Sequence, residues 1–508
     1  MSLTRKFLGS RAPALPPTVD YLVDKYRAGD SLDLSGVIVV LPGRRAGRRL
    51  LELLARRAAD DSLVFYPPEV TTVGALPEEL YEPKRPFASE LVQGLAWVKA
   101  IKAMGRRRLT AFVSRLPADR DLRNWLNLAG VIQRQHNELA ADGLDFADVV
   151  RAGTKLGGAA EAKRWKLLKD IQQGYLAILD DLGLWDRQTA RLFAIEHREC
   201  RTERDIVLVA TADMNRALRL MLGQVADRVT TLVHAPTAWA DRFDPFGCLL
   251  PAIWEEVQLP IDPDQVMVVD APSDQARAVL QFIADLQGEF RIDQVTVGVT
   301  DERVVPELQR QFMQYNVPTR WAIGRMLAET TPYRLLEVIG RYVERGRMSD
   351  FHALLRHPDV FAWVERQGVE GDWLTQLDRY YQDHLPPKTG DWIGSEQKTA
   401  DLHAIDDAVS SVLKPLHAEA QPLRTWAAQT AQVLTDFYAD VEFDREESVE
   451  HYTLEALQHL RAILLEMQAI ADDVSPVVSA SQAIQVILER LRRIQIAPPP
   501  LDQPPLEL

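Results

Sequence analysis

The sequence predicts an α/β protein whose parallel sheets are interrupted by large helical insertions. Three observations support this class: short apolar β-branched runs that end in turn residues, amphipathic helices that follow them directly, and long stretches of helical periodicity between them. The first run is Val37–Leu41, which ends at Pro42 and Gly43. A strand that is apolar at every position is typical of a parallel sheet covered by helices on both faces.

A helix is predicted over residues 44–59, directly after this run. Its leucines form one stripe at helical spacing, and most of its arginines form another. Further strands are predicted near residues 70–73, 206–210 and 229–233. Between about residues 86 and 204 the periodicity is helical. The sequence therefore predicts one α/β domain in two parts, residues 1–85 and 205–262, around a helical insertion at residues 86–204.

A second α/β domain is predicted to begin near residue 263. Runs rich in valine at residues 266–269 and 295–299 have the composition of strands, and a helix is predicted between them. Beyond Thr331 the pattern is helical again. The sequence therefore predicts the first part of this second α/β domain at residues 263–345, a helical domain at 346–496, and a proline-rich tail or linker at 497–508.

Composition restricts the possible functions. The formal net charge of the 508 residues is −14, whereas a protein that coats nucleic acid with its whole surface usually carries the opposite sign. Nucleic-acid binding would therefore be local, through a basic patch. Cys200 and Cys248 form no C-x-x-C pair, which excludes an all-cysteine iron–sulfur site within the chain and fits a reducing cytoplasm. No apolar stretch has the length of a membrane helix, so we expect a cytoplasmic protein without a membrane partner.

The loop LPGRRAGRR, residues 41–49, is where a nucleotide site would be expected in this pattern. It lacks the G-K-[ST] ending that supplies a lysine for the phosphates and a hydroxyl for magnesium, and G-x-x-x-x-G-K-[ST] occurs nowhere in the chain. The closest trace of a Walker B acid is Asp213, which a strand-end turn explains equally well. The sequence therefore predicts no ATP hydrolysis by this chain alone.

Four arginines at the start of the predicted helix are candidates for binding a polyanion. Guanidinium groups near a helix N-terminus, above the carboxyl edge of a parallel sheet, are well placed for phosphate. The alternative is a solvated helix face whose arginines pair with Glu52 or other acidic neighbours. The same two interpretations apply to a second basic run in the helical insertion, at residues 99–115. The candidates are Arg44, Arg45, Arg48 and Arg49.

A weaker pattern involves Asp391, Glu396 and Lys398, which loosely match the acidic residues and lysine of PD-(D/E)XK metal nucleases. The spacing is short, and no strand pattern supports the E-x-K. A helix through these residues would argue strongly against such a site.

The segment VIVVLPGRRAGRRLLELLARRA, residues 37–58, resembles AddB-type subunits of bacterial helicase–nuclease complexes, especially those without an ATP site. Further segments resemble this family in the same order: Asn316-Val317-Pro318, then Gly324 to Leu327 with Thr331-Pro332, then HALLRHPDV. The resemblance implies two RecA-like parallel-sheet domains, each with an α-helical subdomain. It also places the four arginines in motif Ia, which contacts single-stranded DNA in superfamily 1 helicases.

The resemblance implies a non-hydrolysing, helicase-like scaffold subunit that binds single- or double-stranded DNA in double-strand-break repair and recombination. An AddA-type helicase–nuclease subunit would be its partner. The family continues into a C-terminal PD-(D/E)XK exonuclease with an iron–sulfur cluster and magnesium, so no cofactor is expected in this chain, which would be a fragment or a natural front half. Two alternatives stay open: a protein-interaction module with a relic helicase fold and no DNA binding, and a metal nuclease.

Overall fold

The computed structural model describes residues 3–110, 112–153, 159–258, 261–321, 323–369, 371–390, 392–393, 396–445, 447–499 and 505–508. The chain divides into two compact units. The first comprises residues 1–117 and 125–260, and the second comprises residues 118–124 and 261–508. No helix within these described ranges is both long and apolar enough to cross a lipid bilayer.

The first unit combines short strands with longer helices. Its strands are β1 (Thr4–Phe7), β2 (Arg27–Ala28), β3 (Ser31–Asp33), β4 (Val37–Leu41), β5 (Val64–Tyr66), β6 (Glu69–Thr72), β7 (Asp205–Val209) and β8 (Val229–Val233). Its helices are α1 (Leu15–Tyr26), α2 (Arg44–Asp60), α3 (Glu90–Ala103), α4 (Arg106–Leu109), α5 (Leu122–Ala141), α6 (Phe146–Ala152), α7 (Ala159–Asp181), α8 (Arg187–Glu196), α9 (Arg216–Gln224) and α10 (Pro251–Trp254).

A parallel sheet with the strand order β1-β8-β7-β4-β6 forms the core of the first unit. The inner strands β4 and β8 are buried at every position, and β7 at every position but its first. Residues of α1 and α2 pack on one face of the sheet, and residues of α8 and α9 pack on the other. The parallel sheet predicted for this part of the chain is therefore confirmed, and its strands come from both sides of the helical segment α3–α8.

The edge strand β1 is not predicted by the sequence pattern. Its four residues, TRKF, alternate between exposed and half-buried positions, so no continuous apolar run marks the strand. It nevertheless pairs in parallel with β8 over all four residues. An edge strand has only one neighbour and needs fewer apolar residues than a central strand, which is why its pattern is weak.

The second unit is mainly helical. Its helices are α11 (Pro272–Asp285), α12 (Val305–Gln314), α13 (Thr331–Arg345), α14 (Met348–Leu355), α15 (Pro358–Arg366), α16 (Trp373–His384), α17 (Glu396–Leu413), α18 (Leu423–Tyr438), α19 (Ser448–Gln468) and α20 (Ala480–Leu491). Its strands are β9 (Thr319–Arg320), β10 (Arg325–Met326), β11 (Gln421–Pro422), β12 (Val477–Val478), β13 (Gln495–Ile496) and β14 (Leu506–Glu507).

The predicted second parallel sheet is not confirmed among the described residues, where the parallel pairing of the second unit joins only the short strands β9 and β14. Every strand of the second unit there is two residues long and pairs with a single partner. Residues 266–269 and 295–299 form no strand, apart from an isolated bridge at Thr296, and Val268 is 89% exposed. A β-branched run becomes a strand only where a neighbouring strand satisfies its backbone groups. Valines of residues 295–299 instead pack in a small core with α11 and α12.

Candidate nucleic-acid interface

Helix α2 begins at the carboxyl edge of the parallel sheet. Strand β4 ends at Leu41, the chain turns at Pro42, and Gly43 is the helix N-cap, with an extended backbone and no side-chain cap. The first turn of α2 contains no acidic residue that would compensate the positive end of the helix dipole. The leucines of the helix anchor it on the sheet, since Leu50 and Leu54 are fully buried. The arginine-rich start of α2 is thereby held at the sheet edge.

Gly47 has a packing role in this arrangement. A Cβ atom at this position would lie 2.6 Å from the Cγ1 atom of Val70 in β6, so only glycine allows α2 to approach the strand this closely. Strands β4 and β6 are parallel, and Leu41 is in register with Thr72. The close approach therefore brings the start of α2 beside the carboxyl end of β6.

A cavity of about 350 Å³ lies between the start of α2 and the end of β6. Arg44 and Arg48 line it together, because residues four apart lie on the same face of a helix. The half-buried Thr71 and Thr72 line the opposite wall, and their hydroxyl groups can donate hydrogen bonds to an anion. The geometry suits a phosphate group, which guanidinium groups bind through paired N–H donors.

The structure separates the four predicted arginines into two pairs. Arg44 and Arg48 are exposed and have no ion-pair or hydrogen-bond partner among the described residues. Arg49 is held by Glu52, with 2.8 Å between its Nη1 atom and Oε2, as the solvated-face interpretation expects. Arg45 is half-buried, has an interaction partner and does not line the cavity. Two of the four guanidinium groups therefore remain available for a ligand at the cavity.

The loop after β1 is a second place where a nucleotide site would be possible, and the sequence pattern does not single it out. It leads from the carboxyl end of β1 into α1, whose first turn contains Pro16 and Pro17. Proline has no backbone N–H, so two of the amide donors that a helix N-terminus offers to phosphate are missing. The next amide, that of Thr18, donates to the Ala14 carbonyl at 3.3 Å. This turn is therefore poorly suited to binding a nucleotide phosphate.

An aromatic cluster follows the carboxyl end of β8. The guanidinium carbon of Arg242 lies 4.8 Å from the centre of the Trp239 ring and 5.5 Å from that of Trp254. The Trp254 indole N–H donates to the Arg242 carbonyl at 3.1 Å, which fixes the cluster. All three side chains are half-buried. Half-exposed indole and guanidinium planes are the groups on which nucleic-acid bases stack.

No group of three or more His, Cys, Asp or Glu side chains suited to a metal occurs within the described part of the chain. Asp213 is exposed, and its carboxylate accepts the neighbouring Met214 N–H at 2.7 Å, as in a strand-end turn. Glu396 and Lys398 lie in the first turn of helix α17, and Asp391 lies outside the described residues. A helix through the E-x-K argues strongly against a PD-(D/E)XK site.

The basic run of the helical segment is at least partly compensated. Arg108 pairs with Asp170 at 2.5 Å, and the Lys102 ammonium lies 5.1 Å from the centre of the Trp125 ring. These contacts agree with the solvated-face interpretation, in which the basic side chains interact with neighbouring groups of the protein. The Arg44–Arg48 cavity is therefore the stronger candidate for binding phosphate.

A scan of the sequence against models of known protein families finds no match, and a search of curated proteins finds none either.

Proposed function

We propose that the first unit binds single-stranded DNA along the carboxyl edge of its parallel sheet, as a RecA-like domain with α3–α8 as its helical subdomain. The chain would act as a non-hydrolysing, helicase-like scaffold subunit in double-strand-break repair. The assignment to this process rests on the resemblance to AddB-type subunits. The assignment to DNA binding rests on the geometry of the Arg44–Arg48 cavity.

One observation carries the proposal: two guanidinium groups without partners line a concave site at the sheet edge. Each phosphate that an arginine neutralises releases counterions, which favours binding at low salt. The 508 residues together carry a formal net charge of −14. This net charge repels DNA from most of the surface and so favours contact where positive charge is unpaired, as it is at Arg44 and Arg48.

In this role the chain would hydrolyse no ATP. The sequence contains no phosphate-binding lysine motif, and the turn after β1 has two prolines where amide donors would be needed. ATP-driven unwinding would be supplied by an AddA-type partner in the cytoplasm, while this subunit holds or guides a strand.

Changing Arg44 and Arg48 together to alanine is expected to weaken binding of a fluorescent oligothymidylate about tenfold or more at low salt. The reason is the loss of two phosphate contacts and of the counterion release that accompanies them. The slope of log K against log salt should become shallower by about 1.4, since each phosphate contact on a single strand contributes about 0.7. Fluorescence anisotropy at several salt concentrations measures both quantities.

The matched control is the double change of Arg45 and Arg49 to alanine, which removes the same charge from the same turns of α2. Its effect should be clearly smaller, because these side chains already have partners. Equal losses in the two double variants would show that only overall charge matters. Salt-independent binding, or no binding by the wild-type chain, would favour a protein-interaction module.

Changing Trp239 to alanine is expected to weaken binding of single-stranded DNA about fivefold or more, and to affect duplex DNA much less. Stacking on one aromatic side chain contributes about 1–3 kcal/mol per base, and bases within a duplex are not free to stack on protein. Trp239→Phe should retain most of the affinity because the aromatic face remains. Equal losses for both forms of DNA would mean that Trp239 only supports the local fold.

A further inference from the structure

A second charged cavity lies in the second unit, between helices α13 and α20. Its volume is about 460 Å³. Gly340 allows the two helices to pack closely, since a Cβ atom there would lie 3.0 Å from Ile484. Arg123 also lines the cavity; it lies in the first turn of α5, of which residues 122–124 belong to the second unit and the rest to the first.

The charges that line this cavity are only partly compensated. The Arg123 guanidinium lies 2.7 Å from the Glu489 carboxylate, and Arg345 lies 3.7 Å from Glu344. By contrast, Arg341 of α13 and Arg492, which directly follows α20, have no ion-pair or hydrogen-bond partner among the described residues. Two unpaired guanidinium groups from different segments thus line one concave site, which is a favourable arrangement for a phosphate ester.

The cavity also has groups that a plain anion site would not need. The carboxylate of Glu337 lines it and has no ion-pair or hydrogen-bond partner within the described part of the chain. The Tyr333 phenol and the Gln485 amide line it as well. Burial, together with Glu337 and Glu489, raises the pKa of Tyr333 above its usual range, and its hydroxyl can donate a hydrogen bond. A carboxylate repels free phosphate but accepts hydrogen bonds from a base N–H or a ribose hydroxyl.

We infer that the cavity between α13 and α20 binds a nucleotide unit, with its phosphate on Arg341 and Arg492 and its base or sugar beside Glu337 and Tyr333. The unit is either a free nucleotide or one residue of a nucleic-acid strand. This inference does not depend on DNA binding at the Arg44–Arg48 cavity, because the two sites lie in different units and share no residue.

Calorimetric titration of the full chain with ADP and with inorganic pyrophosphate tests the inference. Changing Arg341 and Arg492 together to alanine should raise the Kd for ADP about tenfold or more. The matched control changes Arg334 and Arg493, two exposed arginines from the same segments that do not line the cavity, and should alter the Kd by less than about twofold. Glu337→Gln should weaken the binding of ADP relative to that of pyrophosphate. The carboxylate repels the inorganic anion but accepts a hydrogen bond from the nucleoside.

Titration with a 5′-phosphorylated oligonucleotide distinguishes the two sources of the nucleotide. The protein used for it carries Arg44→Ala and Arg48→Ala. Binding of ADP that depends on Arg341 and Arg492 supports a free nucleotide. Binding of the oligonucleotide alone, with the same dependence, supports a residue of a strand. The inference is overturned if the double change of Arg341 and Arg492 leaves the Kd of every probe unchanged. It is also overturned if pyrophosphate binds as tightly as ADP and Glu337→Gln alters the Kd of neither ligand. Thermal unfolding checks that the variants remain folded, as expected for exposed side chains.

Discussion

Changing Asp186 to alanine is expected to destabilise the helical segment of the first unit by about 3–5 kcal/mol, because it removes the shared acceptor of a buried polar network. The side chain of Asp186 is 2% exposed. It accepts hydrogen bonds from His136 Nε2 at 3.1 Å, from the Tyr175 hydroxyl at 2.9 Å and from the Thr189 backbone N–H at 2.8 Å. These residues belong to α5, α7 and α8, so one carboxylate joins three helices.

The rest of the network leaves no substitute acceptor for these donors. The Gln172 amide donates to His136 Nδ1 at 2.9 Å, which assigns the imidazole proton to Nε2, the atom that faces Asp186. Tyr175 is stacked on Trp97 with 4.0 Å between ring centres and cannot turn toward solvent. Alanine at position 186 would therefore leave several buried donors unsatisfied and would also remove the N-cap of α8.

The effect of the Asp186 change should depend on pH. Burial alone would raise the pKa of Asp186, but hydrogen bonds from His136, Thr189 and Tyr175 outweigh it and hold the pKa below its usual range. A carboxyl group with a lowered pKa stabilises the folded state above the pKa of the unfolded chain, which is about 3.9. That contribution is lost as the pH falls through the folded-state pKa. The difference between wild type and Asp186→Ala should accordingly shrink below about pH 4.

Hydrogen–deuterium exchange of α5, α7 and α8 measures the local stability, which is preferable to global unfolding in a chain of two units. The control is Asp186→Asn, which retains one carbonyl oxygen for His136 and Thr189 and should lose only about 1–2 kcal/mol. If the three helices are as well protected from exchange in Asp186→Ala as in the wild type, the network does not contribute to their stability.

Changing Gly324 to alanine is expected to disrupt the pairing of β10 with β13 and to destabilise this part of the second unit by about 3 kcal/mol or more. Gly324 has a φ of +82°, which alanine adopts only with strain. A Cβ atom there would also lie 1.8 Å from the carbonyl oxygen of Ile496, a backbone atom that no side-chain rotation can move. Removing this collision requires β13 to shift, and such a shift would disturb the pairing of Arg325 with Ile496.

The control for Gly324 is Gly346→Ala. Gly346 ends helix α13 with a φ of +57°, but nothing lies within 4 Å of the position that a Cβ atom would take. This variant carries the backbone strain without the collision and should lose only about 1 kcal/mol. Hydrogen–deuterium exchange of residues 325–327 and 494–496 compares the two variants. Equal effects would show that the close approach of Ile496 is unimportant.

Several elements were determined by the sequence alone, because their signals are local. Val37–Leu41 is apolar at every position, Val229–Val233 combines three apolar residues with two threonines, and such β-branched runs have few stable alternatives to a buried strand. The helical stripe of α2 and the arginines at its start follow from spacing within one helix. The missing G-K-[ST] motif is equally local. These patterns predict the parallel sheet and the four candidate arginines at the start of α2.

Other features were decided only by the tertiary structure. Which arginines line the cavity depends on the approach of β6 to α2 at Gly47. The valine runs at 266–269 and 295–299 have strand composition, but neither forms a strand, and the second run has only an isolated bridge at Thr296. The network around Asp186 joins residues as far apart as 50 positions. Each of these features depends on contacts between parts of the chain that are far apart in sequence. Such contacts leave no periodic pattern in the sequence itself.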